Sequence, residues 1–266
     1  AMAGAVHVHS ERSDGRGTPD EIAAAAARAG LQFVVLTDHG DATRTPDPPT
    51  YRSGVLCLDA VEISTSNGHY IGIGLPEVPY PLGGDGRDVV EDVRRLGGFG
   101  VVAHPDSPRP SLRWTEWDAP YDAVELVNAD TSWRVHMQDR RMSGRWFLLS
   151  RFLTYPFRGA ESLASLMVDS PGTLARYDAL TRPVVAMAGV DAHGHIGLGA
   201  LEPGDARIGL PVPSYEASFR ALGVRVTPPR AFTGDAAEDA ATLLEALRAG
   251  HLYLATTGIA APPSFQ

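Results

Sequence analysis

The 266-residue chain contains no lysine; all 23 of its basic residues are arginine. That one absence removes several chemistries together. There is no ε-amine for a Schiff base, none for a P-loop phosphate site, and no carbamylated lysine to bridge two metals as in the usual binuclear amidohydrolase barrel. Cysteine is almost missing too. Cys57 stands alone, so an internal disulfide and a thiolate metal cluster are excluded. Its setting, Val55-Leu56-Cys57-Leu58, reads as a small buried hydrophobe rather than a nucleophile. No apolar run approaches the ~18 residues of a membrane span, and no charged-then-apolar leader opens the chain. The expectation is a cytoplasmic protein with no membrane partner. A net charge of −9 argues against a broad nucleic-acid-binding surface. The partner expected instead is a small anionic substrate held in a local positive site, with no extended nucleic acid.

What is present is histidine in a telling arrangement. The chain opens Val6-His7-Val8-His9-Ser10, and a strand period of two puts both imidazoles on one side. Asp14 follows where Gly15 and Gly17 require a turn. Two histidines and a carboxylate so close together form an N/O metal-ligand set, although two half-buried strand histidines and a turn aspartate explain the stretch alone equally well. The rest of the chain has to decide.

Thr18-Pro19-Asp20-Glu21 reads as a helix start, with Thr18 as N-cap and Pro19 at the first helical position. An alanine-rich run from Ile22 to Ala29 continues it, and Gly30 ends it. The apolar run Leu31 to Leu36 then delivers Thr37-Asp38-His39 at its C-terminal end. This strand–helix–strand unit implies a parallel sheet or barrel. A further strand, near Val55 to Ile63, contains Glu62. The gap Ser64 to Gly68, with its Asn67-Gly68 turn pair, is too short for a parallel crossover. A local hairpin therefore brings Glu62 and His69 to one end of the sheet. A helix at Asp88 to Leu96 precedes Phe99-Gly100-Val101-Val102, which ends in Ala103-His104-Pro105. The strand Ala123 to Val127 ends at Asn128, and Pro183 to Ala188 leads to Asp191-Ala192-His193. Polar groups thus recur at the ends of apolar strands, which a barrel gathers on one face. Helices near Glu216 to Leu222 and Ala237 to Ala249 and short strands at Val224 to Val226 and His251 to Ala255 complete the pattern.

The segment Thr131 to Ala160 differs. It holds six arginines against the single acid Asp139, interleaved with Trp133, Trp146, Phe147, Phe152, Tyr155 and Phe157. It is either a lid that clamps an anionic or aromatic substrate or an amphipathic helical excursion whose arginines pair with acids elsewhere.

Collected, the candidate metal ligands are His7, His9, Asp14, His39, Glu62, His69, His104, Asp191 and His193. Nine N/O groups exceed the needs of one tetrahedral ion and suit two or three divalent ions, Zn, Mn or Fe, with Glu62 able to bridge. His7-Val8-His9 with Ser13-Asp14-Gly15, Thr37-Asp38-His39, Glu62, Ala103-His104-Pro105 and Asp191-Ala192-His193 together resemble the PHP (polymerase and histidinol phosphatase) superfamily, in order, over about residues 5 to 195. Val61-Glu62-Ile63-Ser64-Thr65 followed by Gly68-His69, the stretch Tyr177 to Asp191 and Ala246 to Gly250 look like its CehA/McbA-type metallohydrolases.

The resemblance implies an α/β fold, a distorted seven-stranded (β/α) TIM-like barrel, with the metal site at the strand C-terminal ends. One domain is expected over 4–258, with a helical, arginine-rich insertion or lid at 131–182 and a tail at 259–266. The expected activity is hydrolysis of small phosphomonoesters or phosphodiesters, a hydroxide held between metals attacking phosphorus in line. Carboxyl-ester or carbamate hydrolysis at the same metals is the alternative, as is a catalytically idle scaffold. Besides Glu62, three further catalytic candidates arise. Asp38 is a carboxylate able to fix the tautomer of a ligand histidine, or equally a capping group. His195 is a candidate proton donor to the leaving group, and Arg109 a candidate anion binder.

Overall fold

The computed structural model describes residues 1–168, 170–197 and 209–259. Its first half begins with β1 (Met2–Val8), followed by α1 (Pro19–Arg28), β2 (Phe33–Leu36), β3 (Thr50–Arg52), β4 (Val55–Asp59), β5 (Val61–Thr65) and β6 (Gly68–Ile73). After α2 (Gly86–Arg95) come β7 (Phe99–Val102) and β8 (Ala123–Asn128). Four helices then intervene: α3 (Ala129–Gln138), α4 (Met142–Thr154), α5 (Gly159–Ala164) and α6 (Pro171–Asp178). The chain returns through β9 (Val185–Gly189), a short ribbon of β10 (Ile196–Gly197) and β11 (Gly209–Leu210), α7 (Tyr215–Ala221), β12 (Gly223–Val226), α8 (Ala236–Arg248) and β13 (Leu252–Ala255). Of the tail expected at 259–266, all but Ile259 lies outside the described residues.

Local sequence explains the elements that frame the site. α1 starts in a capping box: the Thr18 hydroxyl accepts from the Glu21 backbone N–H, and the Glu21 carboxylate accepts from that of Thr18. Its Ile22, Ala23, Ala25 and Ala26 are buried. The next strand follows as soon as Gly30 has turned the chain at φ +78°. The Asp235 carboxylate caps α8 by accepting from the Ala237 and Glu238 backbone N–H groups, and Leu243, Ala246 and Leu247 point from the helix into the core.

The strands do not form the continuous seven-stranded barrel ladder expected. Among the described residues they divide into a six-stranded sheet, β13-β12-β1-β2-β4-β3, and a five-stranded sheet, β5-β6-β7-β8-β9. The reason lies at Ala60, the one residue between β4 and β5, where the chain leaves one sheet for the other. There β5, β6 and β7 continue as antiparallel neighbours, so a β5–β6 hairpin and an antiparallel β6–β7 pair joined through α2 stand where a (β/α) barrel has parallel strands. Two isolated parallel bridges, Val8 with Ala192 and His39 with Glu62, link the sheets. One apolar core is shared between them: Val6, Phe33 and Leu56 from the first sheet meet Ile71, Phe99, Val101 and Met187 from the second, with Leu243 and Leu247 of α8. α1 and α7 cover the outside of the first sheet and α2 that of the second. Cys57 is buried, and burial pushes its thiol up to about 11, as its sequence setting suggests. No helix among the described residues is long and apolar enough to cross a membrane.

Candidate metal centre

The bridges between the sheets sit where the predicted ligands converge. His7 is the penultimate residue of β1, and His9 lies just past its end. The regular period of two is broken between them: the register of β1 on β2 shifts between Val6 and Val8, and His7 has φ +68°. A bulge, rather than an undisturbed strand, aims both buried rings inward. His104 (φ +28°) and Asp191 (φ +49°) share this left-handed backbone. Each such residue costs on the order of 1–3 kcal/mol. Among the described residues, three of the five non-glycine positions with positive φ are candidate ligands, which places the strain where the side chains must be aimed.

Glu62 on β5 is the hub. Its Oε2 lies 3.2 Å from His7 Nε2, 3.2 Å from His9 Nε2 and 3.4 Å from His39 Nδ1. Its Oε1 lies 2.8 Å from both His69 Nδ1 and His104 Nε2. The Glu62 carboxylate thus has five imidazoles around it while only 1% exposed. Asp191 Oδ1 is 3.4 Å from both His7 Nε2 and His9 Nε2. Asp14 closes the other side, 3.3 Å from His9 Nδ1, 3.5 Å from His39 Nε2 and 3.3 Å from His193 Nε2. All nine candidate ligands are brought together. Four overlapping triads, His7/His9/Asp191, His7/Glu62/His104, His9/Asp14/His39 and His39/Glu62/His69, each present ligand atoms within 4.8 Å of one another. His193 stands outside those triads, beside Asp14.

The donor set fits divalent cations. His7 Nδ1 donates to Glu125 Oε1 at 2.7 Å, and His104 Nδ1 donates to the Leu112 carbonyl at 3.2 Å. With those protons outward, each Nε2 turns a lone pair toward a carboxylate oxygen, an arrangement that a proton or a cation must relieve. Both ring nitrogens of His9 and Nδ1 of His39 are buried with no hydrogen-bond partner, although carboxylate oxygens lie 3.2–3.4 Å away. Those distances bring ring nitrogen and carboxylate oxygen close at angles that make no hydrogen bond, and common coordination of an ion accounts for both. Left to protons alone the site is strongly perturbed. Burial lowers the His9 pKa, but the Asp191 and Glu62 carboxylates outweigh it and push the ring up to about 10. Burial raises Glu62, while His7, His39 and His69 hold it well below the usual carboxylate range.

Other candidates are placed differently. Asp38 accepts from the Ser10 backbone N–H (2.7 Å), the Ser10 hydroxyl (2.6 Å) and the Ser13 hydroxyl (2.6 Å). It fastens the loop that carries Asp14. The outward partner of His7 is Glu125, which the sequence reading passed over. This residue of β8 is 2% exposed, and its Oε2 accepts from the His104 backbone N–H (2.7 Å) and Asn128 Nδ2 (2.8 Å). Gly189 makes room for it: a Cβ there would stand 2.0 Å from Glu125 Oε1. Its signal was available, a glutamate within an apolar strand, the same pattern that singled out Glu62. Tyr215 was also passed over; its hydroxyl donates to the His9 carbonyl at 2.7 Å and accepts from the Arg16 and Gly17 backbone N–H groups. Arg109 and His195 line the mouth of the site rather than the cluster, in a cavity of about 460 Å³ that reaches from Asp14, His39 and His193 to α3, α4 and α5.

No protein-family profile matches the chain. An uncharacterized protein of Methanocaldococcus jannaschii is 28% identical over 142 residues, covering 48% of this chain and 82% of the other. Among solved structures, a two-domain protein from Bacteroides vulgatus, described as containing a predicted PHP-like metal-dependent phosphoesterase, superposes with a TM-score of 0.53 at 16% identity over 96% of this chain. The fold is shared with that PHP-like protein. The lesion-specific endonuclease PfuEndoQ of Pyrococcus furiosus also scores 0.53, at 15% identity over 95% of the chain. The present chain spans 65% and 57% of the length of these two proteins. Their likeness agrees, at the level of fold, with the PHP resemblance of the motifs; the narrower CehA/McbA-like likeness rests on the motifs alone. PfuEndoQ also corrects one expectation. Extended nucleic acid was set aside on net charge, yet the same fold serves an endonuclease. Net charge averages over a whole surface, whereas a substrate meets the local field of a cleft.

Proposed function

We propose that this protein is a metal-dependent phosphoesterase of the PHP type. The observation that carries the proposal is the convergence of buried imidazoles and carboxylates on Glu62 with His9 and His39 nitrogens left unpartnered. In this reading His7, His9, Asp14, His39, Glu62, His69, His104, Asp191 and His193 hold two or three divalent ions, Zn, Mn or Fe, within a single domain over 4–258. Bound there, the ions supply an activated water and neutralise charge building on the phosphoryl oxygens. The chain's own groups do the rest. Glu125 fixes the His7 tautomer, and Tyr215 and Asp38 hold the backbone carrying His9 and Asp14. Arg109 and Arg134 bring positive charge to the cavity wall. His195, with Nδ1 donating to the His193 carbonyl, can deliver a proton from Nε2 to the departing alkoxide in its imidazolium form, returning to the neutral ring as it does so. Small phosphomonoesters and phosphodiesters suit the cavity volume, and the shared fold with PfuEndoQ supports nucleic-acid phosphodiesters as an additional substrate class. The Val61–Thr65 and Gly68-His69 motifs favour the CehA/McbA-like branch.

The test joins elemental analysis of protein purified without chelators to a hydrolysis panel: p-nitrophenyl phosphate, bis-p-nitrophenyl phosphate, p-nitrophenyl acetate and a duplex oligonucleotide with an abasic site. Retained metal with phosphoester turnover is expected. Glu62→Gln is expected to lower kcat/KM on the order of 100-fold or more, since even partners outside the ligand set cost 10–100-fold. A metal-loaded protein that cleaves only the acetate overturns the phosphoesterase reading in favour of carboxyl-ester hydrolysis. A protein devoid of metal, inert on every substrate, overturns it in favour of a scaffold.

A further inference from the structure

We infer that α3, α4 and α5 build a wall that selects phosphoesters carrying an aromatic ring on the alcohol side. The inference rests on the phosphoesterase reading and goes beyond it to the substrate class. One end of the cavity is the charged cluster; the other is lined by Trp133, Leu148, Phe152, Leu163, Leu166 and Met167. The Trp133 and Phe152 rings meet edge to face, with centroids 5.3 Å apart, the arrangement in which a further ring packs favourably against an aromatic surface.

A structural role for these side chains is the competing explanation, and burial decides against it. A helix that only roofs a core buries its apolar stripe, whereas α4 has no buried residue and Phe152 is 40% exposed. Leu166 is buried and Met167 packs against the shared core, anchoring the wall, while Trp133, Leu148, Phe152 and Leu163 stay at least partly exposed and line the cavity. The cavity, about 460 Å³, falls within the ~300–1,000 Å³ of small-ligand sites and exceeds what a phosphoryl group alone fills. Of the arginines that line the cavity, Arg134 pairs with Asp130, and Arg151 lies 5.1 Å from the centre of the Phe147 ring. They border an apolar surface without converting it into a polyanion track. Recognition therefore divides along the cavity, charge at the cluster and apolar contact at the helices. The helical segment that the sequence left open between a lid and a structural excursion is assigned here to the alcohol moiety of the substrate.

The proposal is tested by calorimetric titration of the metal-loaded full chain with methylphosphonate and benzylphosphonate, which carry the same headgroup and cannot be hydrolysed as esters. Benzylphosphonate is expected to bind at least about tenfold more tightly, in line with the 10–200-fold that small apolar increments contribute in such pockets. Trp133→Ala and, independently, Phe152→Ala are each expected to reduce that ratio about threefold or more. Equal binding of the two phosphonates, or a ratio that neither variant moves, overturns the selectivity while leaving the phosphoesterase reading intact. Binding of neither ligand overturns the phosphoesterase reading itself, and this inference with it.

Discussion

Glu125→Gln exchanges one oxygen for an NH₂ in a buried network whose acceptors are all in use. In the wild type, Oε1 accepts from His7 Nδ1 and Oε2 accepts from the His104 backbone N–H and Asn128 Nδ2. Whichever way the new amide is set, its NH₂ faces a donor. Turning it toward His104 and Asn128 opposes two N–H groups. Turning it toward His7 opposes one, and His7 escapes by moving its proton to Nε2, the nitrogen that faces Glu62 and Asp191. That tautomer has no lone pair for a metal. The cost is worked from both ends. Losing a charge-assisted hydrogen bond and leaving a buried donor poorly paired is each worth about 1–3 kcal/mol. Removing an outer partner of a ligating histidine weakens metal binding by about 10–100-fold, roughly 1.4–2.8 kcal/mol. The first range bears on stability and the second on metal affinity. Competition with a chromophoric chelator reads the affinity, and thermal unfolding with and without metal reads the stability. A Tm lower by about 2–4 °C per kcal/mol is expected for a chain of this size, and the drop should grow when metal is present. Metal affinity within twofold of wild type refutes the argument, even if the variant is less stable, because Glu125 would then be a core residue and not an orienting one.

Tyr215 supplies a test by pH. Burial is the main cause that pushes its phenol up to about 12, from an ordinary value of 10. The folded state therefore keeps a proton that the unfolded state releases near pH 10. The stability it contributes is intact below pH 10 and declines as pH rises toward 12. In urea unfolding followed against pH, Tyr215→Phe should start about 1–3 kcal/mol lower, with the Arg16 and Gly17 N–H groups losing their acceptor, and fall less steeply on the alkaline limb; parallel curves would contradict the assignment. Leu243, fully buried where α8 meets the core shared by both sheets, should lose about 2–5 kcal/mol on replacement by alanine. A loss under about 1 kcal/mol in chemical denaturation would show that α8 does not close that core.

Much of this architecture is legible in the chain because its signals are local. Thr18, Pro19 and Glu21 announce α1, and the Asn67-Gly68 turn announces the hairpin that sets His69 beside Glu62. Apolar runs ending in histidine or aspartate announce the convergence of the candidate ligands. What escapes is non-local. The split into two sheets turns on Ala60, where a run read as one strand serves two partners. The period of two places His7 and His9 on one side correctly but for the wrong reason, since a bulge does the aiming. Asp38 and Glu125 are chemically alike and both lie near the cluster. Only tertiary geometry gives the first to the serines of a loop and the second to His7. Net charge misleads about nucleic acid because it carries no information on where the charge lies.

The single bridges at Val8–Ala192 and His39–Glu62 give the cluster a mechanical meaning. His7, His9 and His39 belong to the half built on the six-stranded sheet; Glu62, His69, His104 and Asp191 belong to the half built on the five-stranded one. A cation held between them would be a clasp across a seam that backbone hydrogen bonds cross at Val6, His7 and His9 on one side and at Asp38 and Gly40 on the other. Its binding energy would add cohesion between the two halves, beside the apolar core that they already share. The same seam is the floor of the cavity. Whatever loosens the clasp also changes the shape of the surface on which a substrate would rest.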